Sequence, residues 1–210
     1  MKLKKKQQIT AFEVCLYLFF GVLALLTLYP FYNVLIVSLS NTVTSVKYSP
    51  YLFPHVFDLT GYKAIIKDVY FFKSLGTTLL VTVLGTTLNM VFSVVAAYVL
   101  SRKRLIGRKV FLSAILFTML FSGGLIPTYL VIKEFGLLDS IWSLIVSLAV
   151  NVYNLLILTK FFKSIPESLI EAAKIDGCGD FKTLVKIVLP LSKASLATVS
   201  LFYAVQHWNE

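Results

Sequence analysis

Charged and apolar positions are separated into long blocks along this chain. Five stretches carry no charge, apart from Lys193 in the last, and lie at residues 14–46, 74–101, 110–132, 140–159 and 187–209. About 20 apolar residues are needed to cross a bilayer as an α-helix, and each stretch is long enough. The pattern therefore predicts an all-α protein, a polytopic membrane bundle with five transmembrane helices visible.

The stretches also predict where the helices begin and end. We expect helices at 12–38, 74–100, 110–131, 140–161 and from 188 onward, with a short helix near 62–69 in the polar segment before the second. The third contains "SGGLIP" at 122–127, and two glycines followed by a proline weaken a helix. No linker or low-complexity segment divides the sequence. We therefore predict an N-terminal tail at 1–11 and a single membrane domain at 12–210.

Composition and charge support a membrane protein. The chain is 58% apolar and 14% charged, against roughly 25% charged in soluble domains. Its formal net charge of +10 comes largely from basic residues in the tail and in the connections at 102–109 and 160–186. Lys and Arg are enriched in cytoplasmic loops, so these parts and the N-terminus are predicted to be cytoplasmic. The lipid bilayer is the expected partner, and nucleic acid is not.

Candidate chemistry within the chain is sparse. It has no G-x-x-x-x-G-K-[ST] phosphate-binding loop, and no catalytic constellation or metal-ligand spacing is apparent. His55 and His207 lie far apart, and we expect both at interfaces rather than on a metal. Cys15 and Cys178 are expected to be free thiols. We therefore predict no catalytic residue, no metal and no cofactor bound by the chain itself.

Polar residues inside the apolar stretches are a second group of candidates. Asn89, Asn151 and Asn154 are costly in a membrane unless they are paired or line water. Amide groups suit sugar hydroxyls because they donate and accept, so these residues are candidates for a substrate path. Hydrogen bonding between helices is the commoner use. Gly123 and Gly124 are likewise candidates for the path, or only for a kink.

The charged connection at 163–190 has its own local signals. Ser164 and Pro166 resemble a helix start, and Gly177 can adopt the left-handed conformation that ends a helix. Asp180 suits the cap of a second short helix at 181–188, which turns into the membrane at Pro190. The result is a helix-turn-helix on the cytoplasmic face, with a solvated connection resting on lipid head groups as the alternative.

The spacing within this connection resembles a known signature. Glu171-Ala172-Ala173, three residues, Gly177, nine residues and Ile187-x-Leu189-Pro190 match the EAA motif of ABC importer permeases. Other segments are similar to carbohydrate-uptake permeases of the MalG type, most of all to their LplC/YtcP branch. They read "LYPFYNVLIVSLS", "AAYVLSRKRLIGRK", "FTMLFSGGLIPTYLVIKEFGLLDS", "FFKSIPESLIEAAKIDGCGDF" and "LPLSKASLATVSLFYAVQHWN".

The resemblance implies a fold and a mechanism. The fold is the MetI-like permease bundle, and the EAA loop is the helix that docks on a cytoplasmic ABC ATPase, which uses the ATP. Glu171 would contact a basic group, the Ala172–Ala173 face would permit close approach, and Gly177 would give the tight turn. Three residues would anchor the second limb in the membrane core: Ile187, Leu189 and Pro190.

The implied assembly contains further partners. They are a second permease subunit, against which His207 would pack, and an extracellular or periplasmic solute-binding protein, in a bacterial cell membrane. The implied function is import of sugars or oligosaccharides. Such permeases continue through a sixth helix, so the chain is expected to be C-terminally truncated. A non-transporting remnant and a secondary transporter not driven by ATP are the alternatives.

Overall fold

The structure, a computed structural model, describes residues 11–41, 53, 56–121 and 123–210. These residues are mostly helical, as predicted, with one isolated antiparallel bridge between Ser40 and Phe57. The helices are α1 Ala11–Ser38, α2 Thr60–Lys67, α3 Val69–Ser101, α4 Arg108–Leu120, α5 Leu125–Glu134, α6 Ile141–Ser147, α7 Val152–Ser164, α8 Glu167–Ile175, α9 Asp180–Thr183, α10 Leu189–Leu191 and α11 Lys193–Trp208. A π-helical turn, Leu184–Val188, joins α9 to α10.

Two of these helices, α1 and α3, are individually long and apolar enough to cross a membrane. Three bent pairs have the length and composition of one span each: α4 with α5, bent by 114°, α6 with α7, bent by 49°, and α9–α10 with α11, bent by 87°. The described residues therefore contain two candidate spans, or up to five if each bent pair is one span.

The chain divides into two compact units, residues 1–72 and 73–210. In the first unit, polar contacts join the end of α1 to the start of α2. The hydroxyls of Ser38 and Tyr62 lie 2.8 Å apart, and Asn41 Nδ2 donates to Asp58 Oδ2 at 3.0 Å. Asp58 also accepts a hydrogen bond from the backbone N–H of Thr60 at 2.8 Å. These contacts stabilise the first turn of α2.

In the second unit, α3 and α11 each bury one face. Successive buried residues are four positions apart, which keeps them on one side of a helix. On α3 they are Val81, Gly85, Asn89, Ser93 and Ala97, and on α11 they are Ser195, Val199, Tyr203 and His207. Two large side chains of α11 contact small residues of α3, Tyr203 with Ser93 and His207 with Gly85. Helix α7 packs against α11 and α4.

The fourth predicted helix is broken, which the apolar pattern did not indicate. Residues 140–161 were expected to form one helix, but α6 ends at Ser147 and α7 begins at Val152. Asn151 accepts a hydrogen bond from the Asn154 N–H at 3.2 Å and so caps α7. A capping asparagine in an apolar stretch was the available signal.

The third and fifth predicted helices also differ from expectation. The "SGGLIP" segment ends α4 instead of only weakening a helix. The axes of α4 and α5 are bent by 114° at this break, and Gly124 has a φ of 83°. Near the fifth helix, the chain turns at Ser192 and not at Pro190. Proline has no N–H to donate, and just before it the Leu189 N–H donates to Leu184 O, five residues back. The π-helical turn accommodates this interruption.

Candidate functional site

The first limb of the EAA segment, residues 163–190, is α8. The expected cap at Ser164 is wrong. Ser164 is the last residue of α7, and its hydroxyl donates to the carbonyl of Phe161 at 2.7 Å. Pro166 occupies the N-cap position of α8 and makes no side-chain capping bond. Helix α8 therefore begins at Glu167, two residues later than a cap at Ser164 would place it.

The end of α8 is closed by a tight backbone turn. Gly177 has a φ of 75°, so the predicted left-handed conformation is confirmed. The Cys178 N–H donates to Ala173 O at 2.8 Å and the Gly177 N–H to Lys174 O at 3.1 Å, which together form a Schellman motif. Lys174 Nζ also lies 3.3 Å from Asp180 Oδ1 across the turn. Asp180 is the first residue of α9 and not its cap, which is Gly179.

The two alanines of the motif differ in their burial on α8. Ala173 is buried with Ile170, whereas Ala172 is exposed. The expectation that both alanines form one slim outer face is therefore wrong. Glu171 is exposed, and two apolar side chains are almost uncovered: Ile175 is 87% and Phe181 77% exposed. Sequence reasoning missed these two, although apolar residues within a charged connection were the available signal.

The second limb enters the protein core through residues other than those expected. Leu184 and Val188 are buried in a cluster that also contains Leu158 of α7 and Val199 of α11. Of the expected anchors, Leu189 packs against this cluster and Ile187 is partly buried, whereas Pro190 is exposed. Pro190 lies within α10 and does not anchor the second limb in the core.

An ion pair connects α8 to the segment after α3. Lys103 Nζ lies 2.6 Å from Glu167 Oε2. Hydrogen bonding and the charge of Lys103 lower the pKa of Glu167, and the same two effects of Glu167 raise the pKa of Lys103. Both side chains are largely exposed, so the pair contributes little to stability. It orients the start of α8 relative to the end of α3.

Polar side chains from α3 and α11 meet at the break between α6 and α7. Asn89 Nδ2 donates to Leu148 O at 3.0 Å and lies 2.9 Å from His207 Nε2. The Asn151 N–H donates to the hydroxyl of Tyr203 at 3.0 Å. Backbone groups freed inside a membrane must find such partners. The three helical elements are thus joined by hydrogen bonds.

These contacts fix the positions of the predicted path residues. Asn89 is fully buried and bonded between helices, so it faces no open path in this structure. Asn154 is also buried, Asn151 caps α7, and Gly123 and Gly124 are exposed before α5. A cavity of about 330 Å³ beside α5 and α6 is lined by none of the five. The substrate-path role of these residues stays a prediction.

His207 is placed differently from the expectation of an interface with another subunit. It is 1% exposed, and its ring lies against Gly85 of α3. Within the described residues, no group of three or more His, Cys, Asp or Glu could hold a metal ion.

Comparison with known proteins identifies the family. Residues 90–210 match the family of binding-protein-dependent transport system inner membrane components. The chain belongs to this family. The EAA segment and the hydrogen-bonded break between α6 and α7 both lie inside the matched region of the permease. Its relatives are transport permease subunits, so the permease is a transporter component and not an enzyme.

Two relatives and one solved structure cover most of the permease. It is 48% identical over 198 residues to the polygalacturonan/rhamnogalacturonan transport system permease protein YtcP of Bacillus subtilis, covering 94% of this chain and 69% of YtcP. It is 42% identical to protein LplC of the same organism, covering 95% and 68%. A bacterial ABC transporter that imports the acidic polysaccharide alginate superposes with a TM-score of 0.91 at 33% identity, covering 99% and 74%. The permease therefore has the ABC importer permease fold.

Proposed function

We propose that this permease is the membrane subunit of an ATP-driven carbohydrate importer, and that the EAA segment couples a cytoplasmic ATPase to the membrane helices. The observation that carries the proposal is the exposure of Ile175 and Phe181 on an otherwise charged connection. Large apolar side chains that are this exposed among charged ones would gain free energy by being buried against a partner. An ABC ATPase is the occupant that the EAA spacing favours, and the exposed Glu171 is available for a charge-assisted contact with it.

The geometry of the segment suits a lever. The Schellman turn at Gly177 and the ion pair between Lys174 and Asp180 hold α8 and α9 in one arrangement. Leu184 and Val188 then join the second limb to α7 and α11. Because packed cores transmit displacement with little compression, a force on Ile175 would reach those helices. Closure of an ATPase pair would in this way reorient the membrane helices.

The proposed assembly has a defined orientation. The EAA segment, the connection at 102–109 and the N-terminus lie in the cytoplasm, as the basic residues indicate, and the chain crosses a bacterial cell membrane several times. ATP is bound by the ATPase, and the permease itself holds no cofactor. A second permease subunit and an extracellular or periplasmic solute-binding protein complete the importer, in keeping with the family description.

The proposed substrate is an oligosaccharide, acidic ones included. This rests on YtcP, which is named for polygalacturonan and rhamnogalacturonan, and on the importer of the acidic polysaccharide alginate. Uptake of labelled acidic and neutral oligosaccharides of equal length, in cells with and without the permease, tests it. Permease-dependent uptake of either class supports a carbohydrate substrate. Uptake that is equal in both strains contradicts it.

The docking proposal is tested with matched surface variants. The tagged chain is purified in detergent from its native cells, and co-purified subunits are quantified by mass spectrometry. Ile175→Ser and Phe181→Ser should still co-purify with the second permease, but the amount of co-purified ATPase should fall by roughly tenfold or more. The reason is that apolar anchors of an interface each contribute about 2 kcal/mol to binding. Ile106→Ser is the control, since Ile106 is 92% exposed on another connection.

A bulky variant addresses the alanine face. Ala172→Trp adds volume at the exposed position and should also displace the ATPase, whereas Ala173 is unsuitable because substitution there would disrupt the core. Equal recovery of the ATPase with all four variants would show that the segment is not the docking surface. Recovery of no ATPase, even with the unmodified chain, would favour transport without ATP or a non-transporting remnant.

A further inference from the structure

A cavity of about 260 Å³ lies between the end of α3, the connection that follows it and α8. Four basic and three acidic side chains line it. Two of the basic residues are already paired, Lys103 with Glu167 and Lys174 with Asp180. The lining therefore carries one more positive than negative charge. Arg102 and Arg104 are near enough to Glu167 to help lower its pKa, but neither forms one of the described salt bridges.

The guanidinium of Arg102 is held over the ring of Tyr98, but one of its edges makes no hydrogen bond. It lies over the ring of Tyr98, with Cζ 4.0 Å from the ring centroid. Its Nε and Nη2 are buried and have no hydrogen-bond partner within the described chain. The Tyr98 hydroxyl lies near the Asp180 carboxylate but also makes no hydrogen bond of acceptable geometry there. Tyr98 is only 6% exposed. Buried donors without partners are costly, most of all when they are charged.

The arrangement of these donors favours one class of ligand. Nε and Nη2 lie on one edge of the planar guanidinium, a fork that matches two oxygens of one anion. The tyrosine hydroxyl adds a third donor, which suits the several oxygens of a phosphoryl group better than the two of a carboxylate. The single excess positive charge matches the single charge of a phosphodiester.

The place of the cavity in the fold agrees with such a ligand. Arg102 directly follows Ser101, the last residue of the apolar span α3, and so lies where a membrane span meets its polar boundary. Val99, Leu105 and Ile170 provide an apolar wall for the carbon skeleton next to the phosphoryl group. We propose that this cavity binds a phosphoryl anion through Arg102 and Tyr98, with the guanidinium edge turning into the cavity as the anion enters.

Two sources carry this chemistry, a phospholipid head group and a soluble phosphate ester. The cavity adjoins the proposed ATPase contact, since Glu171 lines it, but its proposed ligands Arg102 and Tyr98 are not part of that contact, and neither Ile175 nor Phe181 lines the cavity. Its failure and the failure of the docking proposal are therefore distinguishable. Loss of the ATPase from an Arg102 variant with unchanged anion binding would overturn the present inference alone.

The experiment uses the full chain, purified in detergent with the subunits that accompany it. Two probes share the glycerol phosphoryl group: soluble glycerol 3-phosphate and dihexanoyl-phosphatidylglycerol, each titrated and counted as bound ligand by native mass spectrometry. Arg102→Gln should weaken binding by roughly tenfold or more, since hydrogen bonds to charged groups are among the stronger ones. Lys109→Gln is the control, because Lys109 is exposed in the first turn of α4 and does not line the cavity.

Each outcome decides the inference. Binding of the lipid alone assigns the site to a head group, and binding of both probes assigns it to phosphoryl anions in general. Binding of neither probe, or equal weakening by Arg102→Gln and Lys109→Gln, overturns it. Tyr98→Phe keeps the ring under Arg102 and removes only the hydroxyl. This variant should therefore fold normally and bind the probes more weakly. Wild-type binding by both Tyr98→Phe and Arg102→Lys would likewise overturn it, since the first lacks the hydroxyl and the second the fork.

Discussion

The hydroxyl of Tyr203 on α11 lies 2.7 Å from the hydroxyl of Ser93 on α3. The same tyrosine oxygen accepts a hydrogen bond from the Asn151 N–H at 3.0 Å. Because that oxygen is already an acceptor, its own proton is available for the serine oxygen. One fully buried side chain thus joins α3, α11 and the start of α7, and it fixes the break that interrupts the predicted fourth helix.

Removal of this hydroxyl should destabilise the protein. Tyr203→Phe leaves the Asn151 N–H and the Ser93 hydroxyl without their partner in an apolar interior. We expect the free energy of unfolding to fall by about 1–3 kcal/mol, the usual cost of a buried unsatisfied donor. Tyr153→Phe removes the same atom from a side chain that is 56% exposed on α7 and should have almost no effect. Equilibrium unfolding in mixed micelles measures both, and equal effects would contradict the bridging role.

A glycine on α3 should be required for the position of the His207 ring. A Cβ added to Gly85 would lie 2.5 Å from His207 Nε2, so Gly85→Ala must displace the ring and break its contact with Asn89 at 2.9 Å. Overpacking of this kind costs about 1–3 kcal/mol. The expected result is a lower midpoint of thermal unfolding.

Gly76→Ala is the matched control on the same helix. A Cβ at Gly76 would meet nothing within 4 Å, and alanine is favoured over glycine in a helix by about 1 kcal/mol. This variant should therefore be as stable as the unmodified chain or more so. A fall in stability of the same size for both glycines would show that the ring contact is not the cause.

The helical class and the apolar stretches were predictable because they depend on composition over some 20 residues. The break after Ser147 was not, since its energetics depend on partners distant in sequence. Leu148 O is satisfied by Asn89, which lies 59 residues away, and the Asn151 N–H by Tyr203, which lies 52 residues away. A pattern of hydrophobicity cannot contain that pairing.

The candidate site was predictable in spacing but not in side-chain direction. The signature located the EAA segment and the turn at Gly177. Which alanine is buried depends on the rotation of α8 against its neighbours, and tertiary packing put Ala173 inward and left Ile175 outward. Similarly, Pro190 was expected to pack in the core, but the π-helical turn before it directs Val188 there instead.

The ion pair between Lys103 and Glu167 should respond to pH at two limits. The pKa of Glu167 is lowered from 4.5, so the ionised carboxylate stabilises the folded state fully above that value. This stabilisation is lost as pH falls through the folded-state pKa. The pKa of Lys103 is raised from 10.5, so its contribution is present below that value and is lost as pH rises through the folded-state pKa. Between these limits the pair should stay intact.

The pair can be detected directly by zero-length cross-linking. A carbodiimide at pH 6 should join Lys103 to Glu167, identified by mass spectrometry of the linked peptides, because the two groups lie 2.6 Å apart. Added salt should lower the yield, since exposed pairs are screened. Glu167→Gln is the negative control. A yield for Lys109 with Glu167 as high as that for Lys103 would show that the connection has no fixed arrangement.

The turn at the end of α8 should tolerate substitution at one glycine and not at the other. Gly177 has a φ of 75°, and an L-residue in the left-handed region costs about 1–2 kcal/mol. Gly179 has a φ of −67°, which any residue adopts, and a Cβ there would meet nothing within 4 Å. Gly177→Ala should therefore loosen the Schellman turn, whereas Gly179→Ala should leave it intact. Amide hydrogen exchange at Cys178, whose N–H closes the turn, should be faster only in the first variant.

The same pair of variants connects the turn to transport. If the EAA segment is a stiff lever, Gly177→Ala reconstituted with its ATPase should retain basal ATP hydrolysis but lose most of its stimulation by substrate, because displacement at Ile175 no longer reaches Leu184. Gly179→Ala should retain both activities. Rapid exchange at Cys178 together with normal stimulation would mean that the turn is structural only and that force enters the membrane helices by another route. The Lys103–Glu167 contact, which joins the start of α8 to the segment after α3, is one such route.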